Sequence, residues 1–193
     1  MLTVYLRFNV ATASIPRIAR ADMASIPDIL NKVVLFQDLP ADSLAILAPL
    51  LIAKKYSAGT VIFHELDDSD ALYIVEHGSV IVSKHVSGDV DMVLTRFVPG
   101  DFFGEMGLFD NAPRSATANV ETDSLLWQLN RGVFQDIFSH HPEMAAKICY
   151  RLVTIFIERL RVTNEQTRDA IRWGLEATGY ASGSHSLFGR KST

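Results

Sequence analysis

Six short runs rich in β-branched and aromatic residues follow one another between residues 60 and 129. They read TVIFH, ALYIVE, SVIVSK, DMVLTRF, SATANV and SLLWQL, and the turn signals DDSD, HGS, VSGD, VPGD and ETD lie among them. Short strands that are closely spaced and joined by turns are typical of antiparallel rolls and sandwiches. We therefore expect an antiparallel β-roll, a double-stranded, jelly-roll-like β-helix, that is interrupted only at residues 102–114.

Helical patterns flank this series of runs. Residues 25–52 predict short helices, because their leucines recur at helical spacing. Residues 131–138 predict one short helix, and residues 141–179 predict a long one with Pro142 near its start. The expected fold class is thus α+β and mainly β, with N-terminal helices and a long C-terminal helix beside the roll.

Length and composition exclude several classes of protein. The chain has 193 residues, of which 48% are hydrophobic, and this suffices for one core. A net charge of −4 lacks the basic surface of a general nucleic-acid binder. The single cysteine, Cys149, excludes an internal disulfide, and no apolar run has the length of a membrane span. We expect a cytoplasmic protein.

The ends of the sequence differ in character from its centre. Residues 1–24 are arginine-rich with no acid before Asp22, which fits either a transit segment or a poorly ordered extension; Met23 is then an alternative start. We favour the extension. We expect the domain at residues 25–165, followed at residues 166–193 by the end of the long helix and a flexible Ser/Gly-rich tail.

The segment FFGEMGLFDNAPRSA, residues 102–116, carries the chemistry. Gly104 and Gly107 permit close backbone approach, and EMGLFD predicts one short helix whose unpaired first amides attract anions. Arg114 offers a fork for two oxygens of one phosphate. Glu105 would repel a phosphate, but its carboxylate suits a sugar hydroxyl. The combination indicates a small nucleotide that is held at both ends.

A second interpretation of the same spacing is purely internal. Glu105 and Arg114 would form an ion pair that closes a turn and binds nothing. A buried ion pair contributes little net stability, because desolvation offsets much of its attraction. Spacing alone leaves both interpretations open.

Residues 100–118, GDFFGEMGLFDNAPRSATA, resemble the phosphate-binding cassette of cyclic nucleotide-binding domains, and we call them the cassette. The resemblance extends over about residues 34–165: LFQDLPADSLAILAPLL resembles the family's entry helices and YSAGTVIFHELDDSDALYIVEHGSVIVSK its first strands. Two positions depart from the family pattern. Met106 replaces a branched aliphatic residue, and ELDDSD lacks a turn glycine.

The resemblance implies a role for each cassette residue. Glu105 would bind the ribose 2′-hydroxyl, Arg114 the cyclic phosphate, and Ser115 would add a hydroxyl to that phosphate. The remaining ligand-binding positions, which would supply backbone amides and room, are Gly104, Met106 and Gly107. The implied ligand is a cyclic nucleotide, with no metal.

The long helix bears on which base is bound. ERLRVTNEQ, residues 158–166, is similar to the base-capping helix of bacterial catabolite activators. That similarity implies that Thr163 bonds the adenine amino group, with Arg159 and a partner subunit's Asn164 nearby. It favours cAMP over cGMP, as does Ser115, since a threonine after the arginine often accompanies guanine selectivity in this family. The alternative is a solvated polar turn of an amphipathic helix.

An apolar stripe follows the same helix at Leu152, Ile155, Phe156 and Leu160. Spacing favours packing of this stripe against the roll of its own chain. The family resemblance instead favours a homodimer through the C-terminal helix. If that helix also caps the ligand, binding would shift its position.

About thirty residues follow Asn164 in this sequence, and no recognition helix fits among them. We therefore expect a sensor rather than an enzyme, without an effector domain and without DNA binding. It would signal through movement of the C-terminal helix to an effector protein that the sequence does not identify.

Two alternatives come from other classes of protein. A cupin-like enzyme would need a metal site, for which His64, Glu65, His77 and His85 form an incomplete ligand set. The other alternative is a roll that binds no ligand and serves only for protein contact.

Overall fold

The computed structural model describes residues 26–88 and 90–178. The expected N-terminal extension and the last part of the expected tail lie outside these residues. The helices are α1 (Ile26–Leu30), α2 (Ala41–Leu47), α3 (Arg131–His140) and α4 (Pro142–Ala177), with 3₁₀ helices at Ala48–Leu50 and Glu105–Leu108. The strands are β1 (Ile52–Tyr56), β2 (Val61–Phe63), β3 (Ala71–Ser87), β4 (Val90–Phe97), β5 (Phe102–Phe103) and β6 (Thr117–Asn130).

The strands form one antiparallel sheet that is organised around β3 and β6. These two long strands pair with each other over most of their length. β1 and β2 pair with different ends of β6, and β4 and β5 pair with different ends of β3. The expected antiparallel β-roll with flanking helices is confirmed.

The first five residues of β3, 71–75, are buried on both faces of the sheet, which explains why this part of its sequence is apolar without interruption. Leu72 and Ile74 pack toward the helices, in the larger hydrophobic core. Ala71, Tyr73 and Val75 point the other way, into a second core inside the roll. Alternate side chains of a strand lie on opposite faces, so one strand joins the two cores.

Two of the predicted turns are wrong. HGS and ETD do not separate strands; they lie within β3, which has 17 residues, and β6, which has 14. The register between these strands shifts on either side of Gly78, and Gly78 has a φ of 85°. A glycine with positive φ marks a bulge, which bends a strand without ending it. The local composition of a bulge therefore resembles that of a turn.

Strand β1 was not among the predicted runs. It pairs only with β6, and Lys54 and Lys55 in it are exposed. Lysines on an edge strand are a common protection against pairing with other chains. Because they are adjacent, these two lysines also interrupt the alternation of apolar and polar residues by which strands are recognised in a sequence.

The long helix α4 is partly packed and partly free. Its first half contributes Met144, Ala145, Ile148 and Leu152 to the larger core, and Ile155 and Phe156 pack against that core. Every residue of the helix from Leu160 onward is exposed. The predicted stripe is thus intramolecular up to Phe156, and Leu160 is not part of that packing.

Candidate functional site

The cassette folds around a glycine that no other residue could replace without strain. Gly104 has a φ of 75° and precedes the 3₁₀ helix that begins at Glu105. A Cβ atom on Gly104 would lie 2.7 Å from Nη1 of Arg114 and 3.0 Å from the carbonyl oxygen of Ala71. The positive φ and the close approach of Arg114 both require glycine here.

Arg114 is buried at the floor of the site, with 5% of its surface exposed. Its Nη1 donates to the carbonyl oxygens of Ala71, at 2.9 Å, and Gly104, at 3.2 Å. The guanidinium carbon lies 4.1 Å from the centroid of the Phe63 ring, a cation–π contact. Among the residues described, Nε of Arg114 has no hydrogen-bond partner.

The backbone fixes Arg114 as firmly as its side chain does. Its amide donates to the carbonyl oxygen of Asp67 at 2.8 Å, and its carbonyl accepts from the amide of Leu66 at 2.9 Å. Arg114 is therefore anchored at three points while one edge of its guanidinium stays unpaired.

Burial lowers the pKa of the Arg114 guanidinium from its ordinary value, because the charged form is desolvated. Tyr73 and Asp70 act in the opposite direction, and Arg131 adds to the lowering. The site is thus a buried cationic position whose charge is incompletely compensated by its neighbours.

Glu105 pairs with the long helix instead of with Arg114. Its Oε1 accepts from Nη1 of Arg159 at 2.7 Å, and Nη2 of Arg159 donates weakly to the carbonyl oxygen of Phe102 at 3.4 Å. The Glu105 side chain is 9% exposed and that of Arg159 41%. The alternative of a Glu105–Arg114 ion pair is therefore wrong, because the two charged groups turn to different partners.

A partly open cavity of about 140 Å³ lies between the cassette, the roll and α4. Its wall combines the aromatic inner face of the roll with the polar groups of the cassette. The residues that line it are Phe63, Ser69, Val82, Phe97, Phe103, Gly104, Glu105, Met106, Gly107, Asp110, Ala112, Pro113, Arg114, Ser115, Ala116 and Arg159.

Seven of the nine predicted site residues line this cavity: Gly104, Glu105, Met106, Gly107, Arg114, Ser115 and Arg159. The structure does not bring the other two to it. Thr163 and Asn164 are exposed one turn beyond Arg159, and the Thr163 hydroxyl donates to the Arg159 carbonyl oxygen at 2.9 Å.

Sequence reasoning missed the aromatic wall and one arginine. Phe63, Phe97 and Phe103 belong to one aromatic cluster inside the roll, with centroid distances from Phe103 of 6.1 Å and 5.3 Å. Alternation along β2 and β4 places such residues on the inner face, but one sequence does not tell which face is inner. The missed arginine, Arg131, directly follows β6, and its Nε donates to the carbonyl oxygen of Gly107 in the cassette.

The proposed cupin ligands are not assembled. Within residues 26–88 and 90–178, no group of three or more histidine, cysteine or acidic side chains is placed to hold a metal ion. Instead, His64 contacts Asp67 and His85 contacts Asp91. Glu65 pairs with Lys84 at 2.9 Å, and His77 is exposed.

Within residues 26–88 and 90–178, no helix is both long and apolar enough to span a bilayer.

Comparison with known proteins agrees with this geometry. The family described as "Cyclic nucleotide-binding domain" matches residues 53–141, which run from the second residue of β1 to the end of α3. The N-terminal domain of a transcriptional regulator from Streptomyces coelicolor superposes with a TM-score of 0.62 at 30% identity, over 72% of this chain and 95% of that one. The chain belongs to the cyclic nucleotide-binding domain family.

Two further relatives of this cyclic nucleotide-binding protein are regulators of different kinds. A cAMP-dependent protein kinase regulatory subunit from Blastocladiella emersonii is 31% identical over 77% of this chain and 37% of its own length. A CRP-like cAMP-activated global transcriptional regulator from Mycobacterium tuberculosis is 28% identical over 75% of this chain and 62% of its own length. The chain thus spans less than two thirds of either relative.

Proposed function

We propose that this chain is a regulatory module that binds a cyclic nucleotide, cAMP in preference to cGMP, in the cavity beside the cassette. The observation that carries the proposal is the buried Arg114, which lines the cavity and whose Nε has no hydrogen-bond partner among the residues described. An unpaired donor of a buried cation is costly, and a bound anion would remove that cost.

The residues present fit a cyclic phosphate at one end of the cavity. Two of the oxygens of a phosphate match the Nε–Nη2 edge of a guanidinium, and Nη1 of Arg114 is already committed to backbone carbonyls. Ser115 lines the cavity next to Arg114, so its hydroxyl is available to the same phosphate. The amides of Gly104 and Met106 would complete the contact; the amide of Gly107 already donates to the carbonyl oxygen of Gly104 at 3.2 Å, so Gly107 would contribute room.

Glu105 fits the sugar at the other end. Its carboxylate is buried, and one of its oxygens faces Arg159. A carboxylate in this position would accept a hydrogen bond from the ribose 2′-hydroxyl. Arg159, which pairs with this carboxylate, places α4 directly beside the ligand.

The base end of the site is incomplete within one chain. Thr163 and Asn164 do not line the cavity, so in this proposal base recognition needs a displacement of α4 or an Asn164 from a partner subunit. Preference for cAMP is supported by the names of the kinase and transcription relatives, both of which respond to cAMP. Ser115, in place of threonine, supports the same preference.

The output of the module would pass through α4. This helix contacts the site through Arg159 and extends beyond the core with every later residue exposed. We propose that nucleotide binding shifts α4, which pairs with a second copy of the chain and presents a surface to an effector protein. In this proposal the module itself neither catalyses a reaction nor contacts DNA.

Titration calorimetry with cAMP and cGMP tests the proposal. We expect micromolar binding of cAMP and weaker binding of cGMP. Arg114→Ala should weaken cAMP binding by about a hundredfold or more, since breaking a buried charge contact costs about 3–5 kcal/mol. Arg114→Lys, which keeps the charge but loses the fork, should also bind more weakly than the wild type.

Arg96→Ala is the matched control. Arg96 is an exposed arginine on β4 that pairs with Glu121 and does not line the cavity, so cAMP affinity should be unchanged. Thermal melts without ligand check that each variant is folded. If neither nucleotide gives heat or raises the melting temperature of the wild-type protein, the proposal is wrong.

A further inference from the structure

The cation–π contact between Arg114 and Phe63 differs from the other contacts of this guanidinium, because it occupies no hydrogen-bond donor. The bonds of Nη1 to Ala71 and Gly104 both use N–H donors. The ring of Phe63 instead meets the guanidinium with its face, and its centroid lies 4.1 Å from the guanidinium carbon. The ring therefore stabilises the positive charge of Arg114 while Nε keeps its proton unpaired among the residues described.

An irregularity in β2 places the Phe63 ring where it makes this contact. The register between β2 and β6 shifts between Val61 and Phe63. Ile62 and Phe63 are neighbours in the sequence, and yet both pack against the core inside the roll. In a regular strand one of these two side chains would face outward, so the shift in register turns one of them inward. Bulges are common beside functional sites, where they redirect a side chain.

Two further aromatic side chains hold the Phe63 ring. Its centroid lies 6.0 Å from that of Tyr73 and 6.1 Å from that of Phe103, and both of these residues are buried. The guanidinium carbon of Arg114 is also 5.8 Å from the centroid of the Tyr73 ring. Packing within the roll therefore fixes the surface on which the guanidinium lies.

Two carboxylates compete with this aromatic surface for Arg114. Burial lowers the pKa of the Arg114 guanidinium, whereas the charges of Asp70 and Asp67 raise it, so both carboxylates attract the guanidinium. In the part of the chain that the structure describes, neither forms an ion pair with Arg114, and Asp67 contacts His64 instead. An ion pair with either acid would occupy part of the guanidinium fork, and a phosphate would then have to displace the carboxylate.

We infer that Phe63 is a positioning residue for Arg114, whose ring holds the guanidinium with Nε unpaired and keeps it from pairing with a nearby carboxylate. This inference rests on the proposed function. The ring sets the fraction of molecules in which Arg114 is free to bind an anion, and the apparent affinity for the nucleotide falls in proportion to that fraction.

Fluorination of the Phe63 ring tests the inference, because fluorine withdraws electron density from the face of the ring with little change in its shape. We expect Phe63→pentafluorophenylalanine to bind cAMP about tenfold more weakly than the wild type in titration calorimetry. Phe63→para-fluorophenylalanine should lose about twofold. An apolar lining alone would not give this order, since fluorination makes the ring more hydrophobic.

Phe138→pentafluorophenylalanine is the matched control. Phe138 is an exposed aromatic residue on α3 that does not line the cavity, so its fluorination should leave cAMP affinity unchanged. The Nε–H signal of Arg114 in the NMR spectrum of the ligand-free protein gives a second measurement. This signal should move in Phe63→pentafluorophenylalanine, because the guanidinium leaves the ring, and it should stay in place in the control.

Equal cAMP affinity of the wild type and Phe63→pentafluorophenylalanine would overturn the inference. Phe63→para-fluorophenylalanine decides in the same way if the first variant does not fold. If affinity falls while the Arg114 signal stays in place, the ring acts on the ligand instead of on Arg114, and the inference is also wrong. If the wild-type protein itself binds neither nucleotide, the proposed function fails, and the role of Phe63 in binding fails with it.

Discussion

At the scale of single residues, the site depends on how two arginines and one carboxylate divide their partners. Arg114 directs Nη1 to the backbone and leaves Nε free, whereas Arg159 directs its charge to Glu105. Because Glu105 pairs with Arg159 and Arg114 pairs with backbone carbonyls, the charges of Glu105 and Arg114 do not neutralise each other directly. A cation lies at the end of the cavity that we propose for the phosphate, and a carboxylate paired with a cation lies at the end that we propose for the sugar.

The role of Glu105 is tested by removing the hydroxyl it would bind. We expect the wild-type protein to prefer cAMP to 2′-deoxy-cAMP by about tenfold, because a hydrogen bond to a charged group contributes about 1.5–3 kcal/mol. Glu105→Gln should reduce that preference to about twofold, as measured by competition calorimetry. Glu158→Gln, which alters an exposed acid on α4 that pairs with Arg161, should leave it unchanged. A preference that survives in Glu105→Gln would remove Glu105 from the sugar end.

The sequence indicated Glu105 and Arg114 through their residue types, but not their partners. Glu105 and Arg159 are 54 positions apart and meet only because α4 folds back over the cassette. Two of the three acceptors of the Arg131 side chain are likewise backbone carbonyls, which every residue possesses and no motif marks. The residue types in a short segment therefore predict which charged groups belong to a site, whereas the fold determines which of those groups contact each other.

At the scale of elements, the long strands explain why turn prediction failed. The roll is built from two bent strands, and each bend is a bulge with turn-like composition. Gly78 allows the bend because its backbone lies against β6: a Cβ atom there would be 2.2 Å from Oγ of Ser124 and 2.4 Å from the carbonyl oxygen of Asp123. The long helix α4 was predicted well, since its apolar period extends over more residues than any single strand run.

This account predicts opposite effects for two glycine substitutions. Gly78→Ala should lower the free energy of unfolding by about 2–4 kcal/mol, because the methyl group clashes with β6 and φ is positive. Gly174→Ala, in α4 with open space around it, should raise it by about 0.5–1 kcal/mol. Urea denaturation measures both. Equal effects of the two substitutions would mean that the bulge does not constrain β3.

At the scale of the whole molecule, the second half of α4, from Leu160 to Ala177, is exposed on all sides, and packing within one chain does not explain its stability. A solitary exposed helix of this length is marginal in water, since most helical stability in proteins comes from packing of an apolar face. Along the exposed face of α4 as a whole, residues recur at alternating spacings of three and four: Tyr150, Val153, Ile157, Leu160, Asn164, Thr167 and Ile171. We call these residues the seam. Their spacing is that of a two-stranded coiled coil, in which one asparagine sets the register.

The seam predicts a parallel dimer, which would also bring Asn164 of one chain toward the site of the other. Sedimentation equilibrium should give about twice the chain mass of 21.4 kDa. Leu160→Glu with Ile171→Glu should shift the protein to monomers, because buried like charges would face each other across the seam. Val162→Glu replaces another exposed apolar residue of α4 that lies off the seam, and it should leave the dimer intact. Should the wild-type protein sediment as a monomer, or Val162→Glu dissociate it as readily, the seam would not be the surface that pairs. Coupling between ligand and dimer would then have to pass through another face of α4.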